Sequence, residues 1–221
     1  MARAERRSDA LTRERIVEVA VELLDSEGES GLTFRALALR LETGHGAIQW
    51  HIANKSELLR SATAAVVARA LDDVDPEASP RETIHAVALG VFGAIEAHPW
   101  AGGQLARPPW RSTMLDIFER VGRQVLALGV PDAARFTATS ALLIHIIGAG
   151  NQEATNSRSP EARGDRQDFL DDLSAHWAGL DPEEYAFTRT VAGHLRTHDD
   201  RAEFLAGIDL IIDGMTASAA P

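Results

Sequence analysis

Within the 23 residues from Thr33 to Lys55 the chain places Thr33, Arg35, His45, Gly46, Ala47, Gln49, Trp50, His51 and Lys55. The group has no nucleophile paired with a base. It offers planar hydrogen-bonding edges, positive charge, and small residues that let a backbone come close to a surface. A glutamine amide can bond the N6/N7 edge of adenine in two places, an arginine can bond guanine, and an alanine methyl packs against a thymine methyl. Gln49, Arg35 and Ala47 have these chemistries. Thr33, Trp50, His51 and Lys55 suit phosphate oxygens, Lys55 most of all, because it opens a helix whose free N–H groups already favour an anion. His45 and Gly46 supply the slender polar start that a helix needs to enter a groove.

These side chains need elements to aim them, and the local signals predict helices throughout, with no period-2 segment. Thr12 caps a first helix with Leu11 and Ile16 as its staple, and Ile16, Val19, Ala20, Leu23 and Leu24 form its apolar stripe up to Gly28. Thr33 caps a second, stapled by Leu32 and Leu37. A short third helix covers His45 to His51, with Gly44 and Gly46 weakening its start. Asn54 caps a fourth, with Glu57 as capping-box partner, and Asp75-Pro76 marks its end. Two short helices, a Gly-bearing turn and a capped long helix are the layout of a helix-turn-helix reader of the major groove.

Further along, Ser79-Pro80-Arg81-Glu82 and Asp181-Pro182-Glu183-Glu184 both predict helix starts. Helices are expected at about 80–97, 112–128, 131–154 and 200–215, with a kinked Pro/Trp/Gly stretch at 98–111. A mobile loop or short helix is expected over Ser157–Asp172. The fold class is all-α: a head at 1–60, whose residues 1–10 form a flexible arm bearing Arg3, Arg6 and Arg7, and a helical body at 61–221.

Charge divides along the same line. The 221 residues carry a net charge of −11. Residues 1–60 hold 9 basic and 10 acidic side chains, and the remainder hold 13 and 23. The head is near neutral while the body repels phosphates, as expected of a body kept away from DNA. With no cysteine there are no disulfides, thiolate metal sites or Cys nucleophiles. The N-terminus has no apolar signal core, and the most apolar window, Phe136–Gln152, reads as a buried helix, so a cytoplasmic protein without membrane contact is expected.

Taken together these residues resemble the TetR family of bacterial repressors. The run I-Q-W-H-I-A-N-K-S-E-L-L (Ile48–Leu59) is similar to that family's aromatic-rich end of the recognition helix, followed by the Lys that opens the next one. Trp50-His51 and Asn54-Lys55 resemble the tetracycline-repressor branch. Weaker echoes are His98-Pro99-Trp100, Asn151-Gln152-Glu153, and Glu203-Phe204 through Asp213-Gly214. The chain departs from the pattern at Gln49, where the family usually has Tyr, and at Ile52, where it has a large aromatic, so the operator does not carry over from relatives.

The resemblance implies a homodimer on a near-palindromic double-stranded operator, with helices 131–154 and 200–216 as its contact surface. It also implies a small-molecule effector held in the body. Pocket candidates are Phe92, Trp100, Trp110, Phe118, His145, Asn151, Gln152 and Glu153; aromatics with a few polar groups suit an aromatic or polyketide-like antibiotic or metabolite. His145 and Glu153 are spaced like a pair that lines the tetracycline repressor's pocket, where the Glu helps hold a magnesium–drug chelate. That chelate also takes a His from the preceding loop. Leu105-Ala106-Arg107-Pro108-Pro109 has none here, so no metal or other cofactor is expected.

Two other classes fit the sequence less well. A metal-binding helical enzyme would use Glu82-Thr83-Ile84-His85, present once, or His194 and His198. Glu82 is already spoken for as a cap, and no hydrolase, P-loop or dinucleotide motif is present. A DNA-binding regulator without a ligand would have little use for so long an acidic body.

Overall fold

The computed structural model describes residues 11–72, 74–107, 113–158 and 166–217, and every regular element among them is a helix. The arm at residues 1–10 and Trp110 lie outside the described residues.

The head forms much as its caps dictate. Helix α1 (Arg13–Gly31) starts where the Thr12 hydroxyl accepts the Arg15 N–H at 3.1 Å. Its buried stripe is Ile16, Val19, Ala20, Leu23 and Leu24. At Gly28 the backbone turns left-handed (φ 68°), which breaks the helical path one turn before its end. Helix α2 (Phe34–Arg40) begins with the Thr33 hydroxyl accepting from Ala36 N–H, between buried Leu32 and Leu37. Helix α3 (His45–His51) follows the turn.

Helix α4 (Lys55–Leu71) is capped by Asn54, whose side chain accepts the Glu57 N–H at 2.9 Å. The reciprocal bond of a capping box is displaced by one residue: the Glu57 carboxylate accepts from Ala53 N–H, also at 2.9 Å, instead of from Asn54. This helix ends at Leu71, earlier than Asp75-Pro76 suggests.

The body adds α5 (Pro80–Ala97), α6 (Pro99–Leu105), α7 (Thr113–Ala127), α8 (Asp132–Asn156), α9 (Arg166–Ala178), α10 (Ala186–Val191), a 3-10 turn (Ala192–Thr197) and α11 (Asp200–Ala217). Ser79 and Glu82 form the expected capping box. The stretch at 98–111, expected to be a kinked connection, contains α6, because Pro99 can occupy N1 and Gly102 lets the helix lie against α8. The first half of α9 lies within the charged segment Ser157–Asp172, expected to be a mobile loop or a short helix. The start expected at Asp181 forms its cap, with the Asp181 carboxylate accepting from Glu183 and Glu184 N–H at 2.9 and 3.1 Å. It closes only one turn, however. Tyr185 leaves the helical region (φ −117°, ψ 35°), and α10 begins at Ala186.

Helix α8 is the hub of the body, packed against α5, α6, α7 and α11. By length and composition it could span a membrane; here those four neighbours make it a core helix. Phe92 of α5 stacks on Phe204 of α11 (4.7 Å between centroids), and His145 of α8 also stacks on Phe204, at 5.5 Å. Buried apolar residues form one cluster from Ile16 to Ile212. The two parts therefore share a core that runs through α4; they do not each have a separate one. Helices α4 and α5 cross so closely at Gly90 that a Cβ there would lie 2.5 Å from the Ala70 carbonyl oxygen.

Candidate nucleic-acid interface and helical cleft

Ile48 is the buried residue of α3; His45, Gly46, Ala47, Gln49 and Trp50 are exposed and His51 is half-buried. At 100° per residue, Gly46, Gln49 and Trp50 (i, i+3, i+4) form the face opposite Ile48 and the buried Ile52. Trp50 is 83 % exposed, an unusual placement for an indole unless it has a partner. Its ring meets His51 edge-on at 4.8 Å, and His45 is steadied by Phe34 at 5.3 Å. Arg35 and Thr33 are exposed at the start of α2, and Arg35 makes no ion pair among the described residues. Eight of the nine residues singled out from the sequence thus lie on α2, its N-cap and α3.

Lys55, the ninth, is placed differently. It opens α4 as expected, but its ammonium donates to the main-chain carbonyl of Glu29 and is partly buried there. A phosphate would have to draw it away from that carbonyl.

Arg13 is a residue the sequence reading missed. Its guanidinium donates to the His51 carbonyl at 2.7 Å, to Glu57 at 2.8 Å and to Ser61 at 3.0 Å, clamping the end of α3 onto α1 and α4. The bond from Ala53 N–H, and after it the one from Arg13, hold the Glu57 carboxyl below the ordinary range. Glu57 thus stays ionised as the counter-charge of that clamp. Its only sequence signal was an Arg among the charged residues of a helix start.

Among the described residues, two of the body candidates meet at one ring, Phe92 and His145 both stacking on Phe204, and the others have separate partners. Phe92 is core. Phe118 is half-buried beside exposed Phe136 at 5.9 Å. Trp100 lies at the junction with α1, its indole N–H donating to Asp25 at 2.7 Å. His145 lies between α8 and α11, with Nε2 3.2 Å from the Phe204 carbonyl. Asn151 donates to the Ile147 carbonyl and Gln152 to Asn156, each along α8.

Only Glu153 lines the cleft at the end of α8. This cavity, about 470 Å³, has an apolar floor of Phe169, Leu170, Leu173 and Leu195 and a polar rim that includes Glu153, Arg166, His198 and Asp200. Arg166 pairs with Asp200, and His198 Nε2 lies 3.1 Å from the same carboxylate. The apolar residues of α9 escaped the sequence reading because acidic neighbours interrupt them. Among the described residues no three His, Asp or Glu side chains converge as a metal set. Glu82 is engaged by its cap, and His85 bonds Asp209 at 2.9 Å.

Residues 75–219 match the family model for the tetracycline repressor-like C-terminal domain. Over 210 residues the chain is 30 % identical to an HTH-type transcriptional regulator of Saccharopolyspora erythraea, covering 95 % of this chain and 86 % of that one. Among solved structures it is similar to the transcriptional regulator SCO7222, a TetR from Streptomyces coelicolor. The identity is 54 % and the TM-score 0.86, over 95 % of this chain and 100 % of the other. It is also similar to ActR of Streptomyces coelicolor in complex with actinorhodin, at 25 % identity and TM-score 0.73, over 96 % and 99 % of the two chains.

Proposed function

As a member of the TetR family of transcriptional regulators, to which it belongs, this chain is a DNA-binding regulator and not an enzyme, and we propose that it is a repressor relieved by a small molecule. Two heads of one homodimer read the half-sites of a palindromic operator, and an aromatic or polyketide-like antibiotic or metabolite bound in the body releases them. The head at 1–60 does the reading, the helices of 61–221 dimerise and hold the effector, and the protein works in the cytoplasm.

The observation that carries the DNA reading is α3 itself, a helix with Ile48 as its buried anchor and Gly46, Gln49 and Trp50 turned outward. A helix of seven residues contributes little stability of its own. An outward face with an amide, an indole and a glycine is explained by a surface it fits.

Two copies are supported by the outer face of α8 and α11, where Ile144 and Leu210 are 69 % and 75 % exposed next to Gly148, Ala206 and Gly214. Packed on their symmetry mates these helices would close a four-helix bundle. For the effector, the cleft at Glu153 has the volume and the apolar-to-polar balance of a small-molecule site. The ActR–actinorhodin complex supports the same class of partner. Glu153 already accepts from Ser157, and the loop after α6 brings no histidine, so the reading needs no metal.

The test is a gel shift with DNA from the chain's own upstream region. A discrete complex is expected, weakened at all sequences alike by Lys55→Ala. Gln49→Ala and Arg35→Ala should instead change which bases are preferred. If no complex forms at modest salt with upstream or selected random DNA, the reading is wrong.

A further inference from the structure

Two carboxylates lie on the rim of the cleft at the end of α8, and they are partnered very differently. Asp200 pairs with the Arg166 guanidinium, and His198 Nε2 lies 3.1 Å from it. Glu153 makes no ion pair among the described residues. Its partner is the Ser157 hydroxyl, whose oxygen is 2.7 Å from Oε1 and 2.9 Å from the Glu153 main-chain carbonyl. A hydroxyl carries one proton, so it serves one of those two acceptors at a time. The unbalanced charge on this rim is therefore one carboxylate.

The position of that charge does not favour the helix that carries it. Glu153 lies three residues before Asn156, the last residue of α8, and the unpaired carbonyls of a helix C-terminus disfavour a negative neighbour. Glu153 is also half-buried, in a cleft whose floor is Phe169, Leu170, Leu173 and Leu195. It has lost part of its water without gaining a cation. The surrounding body does not compensate: residues 61–221 hold 13 basic and 23 acidic side chains, so their summed field attracts cations.

We infer that the cleft takes an amphipathic cation, with an apolar, ring-bearing body on Phe169 and the leucines of α9 and a protonated amine on Glu153. The inference rests on this cleft being the effector site, as proposed above, and narrows the class of molecule that fills it. An amine supplies the charge-assisted donor that Glu153 lacks. An alcohol of the same shape supplies only a neutral donor, and an ionised acid meets a like charge. The volume of about 470 Å³ accommodates a fused-ring body.

Naphthylmethylamine, naphthylmethanol and naphthoic acid share one ring system and differ in charge, which makes them suitable probes. Each is titrated into the full chain at neutral pH by isothermal calorimetry, without DNA. Wild type should bind the amine about tenfold more tightly than the alcohol, as expected of one charged hydrogen bond at a partly exposed carboxylate. The acid should bind most weakly. Glu153→Gln keeps an acceptor for Ser157 and removes the charge. It should melt no lower than wild type, bind the alcohol as before, and lose the advantage of the amine. Leu173→Trp puts an indole into the floor and should weaken binding of every probe; Leu195→Trp carries that arm should Leu173→Trp fail to fold. Equal binding of amine and alcohol by wild type, or an amine preference that survives Glu153→Gln, overturns the cation. The cleft then still stands as a site if the floor variant weakens binding. Probes that do not bind, or that bind the floor variant as tightly as wild type, overturn the cleft as the effector site and the inference with it.

Discussion

Gly148→Ala separates the protomer from the proposed dimer. Gly148 lies in the second half of α8 on the same face as Ile144, and a Cβ built there meets nothing within 4 Å. In an isolated protomer the substitution can only help, because alanine in a helix interior is favoured over glycine by about 0.5–1 kcal/mol. For a chain of this size that raises Tm by roughly 1–4 °C. In a dimer whose α8 and α11 pack on their mates, the added methyl enters a contact that Gly148, Ala206 and Gly214 keep close. Overpacking costs about 1–3 kcal/mol per site, and a two-fold axis makes it occur twice, roughly 2–6 kcal/mol in all. The dimer dissociation constant should then rise about thirtyfold at the least and by up to about 10⁴-fold. Sedimentation equilibrium over a concentration series reads the constant directly, and melting at the same concentrations reads the protomer's gain. Gly122→Ala in α7 is the control, since its nearest neighbours are Thr139 carbons and oxygens at 3.6 and 3.7 Å, ordinary contact distances. It should stabilise without touching assembly. A Gly148→Ala protein that melts higher and dissociates no more readily than wild type would refute close packing of this face.

Two further substitutions test the interior. Gly90→Ala places a methyl 2.5 Å from the Ala70 carbonyl oxygen, so α4 and α5 must part. A loss of about 1–3 kcal/mol, or roughly 2–12 °C in Tm, is expected, and melting within a degree of wild type would mean the helices do not cross this closely. Asp209→Asn tests the α5–α11 clasp. Burial pushes the Asp209 carboxyl up, but the bonds from His85 and Arg81 and their charges outweigh it and hold the group below its ordinary value. A depressed native pKa stabilises above the unfolded value of about 3.9, and that stabilisation fades as pH falls through the native one. The variant should therefore melt roughly 2–4 °C below wild type at pH 7, about 1 kcal/mol after allowing for the partial exposure of the pair, and the gap should close in acid. A gap that stays constant down to pH 2 would contradict this.

The head was legible because its signals are local. Thr12, Thr33 and Asn54 cap its helices through bonds spanning three residues, as Ser79 does in the body, and a capping side chain needs nothing from the rest of the chain. The same locality misled at Asp181. The cap is real, but whether a helix propagates past the first turn depends on packing that a cap cannot report. The body candidates carry a related ambiguity. An aromatic at helical spacing identifies an inward face and leaves open whether that face meets a ligand or another helix, and Phe92 meets Phe204. Residues that tie distant segments, Arg13, Asp25 and Glu29, look like ordinary surface charge in the sequence, since the hydrogen bonds of their side chains span 38 to 75 positions.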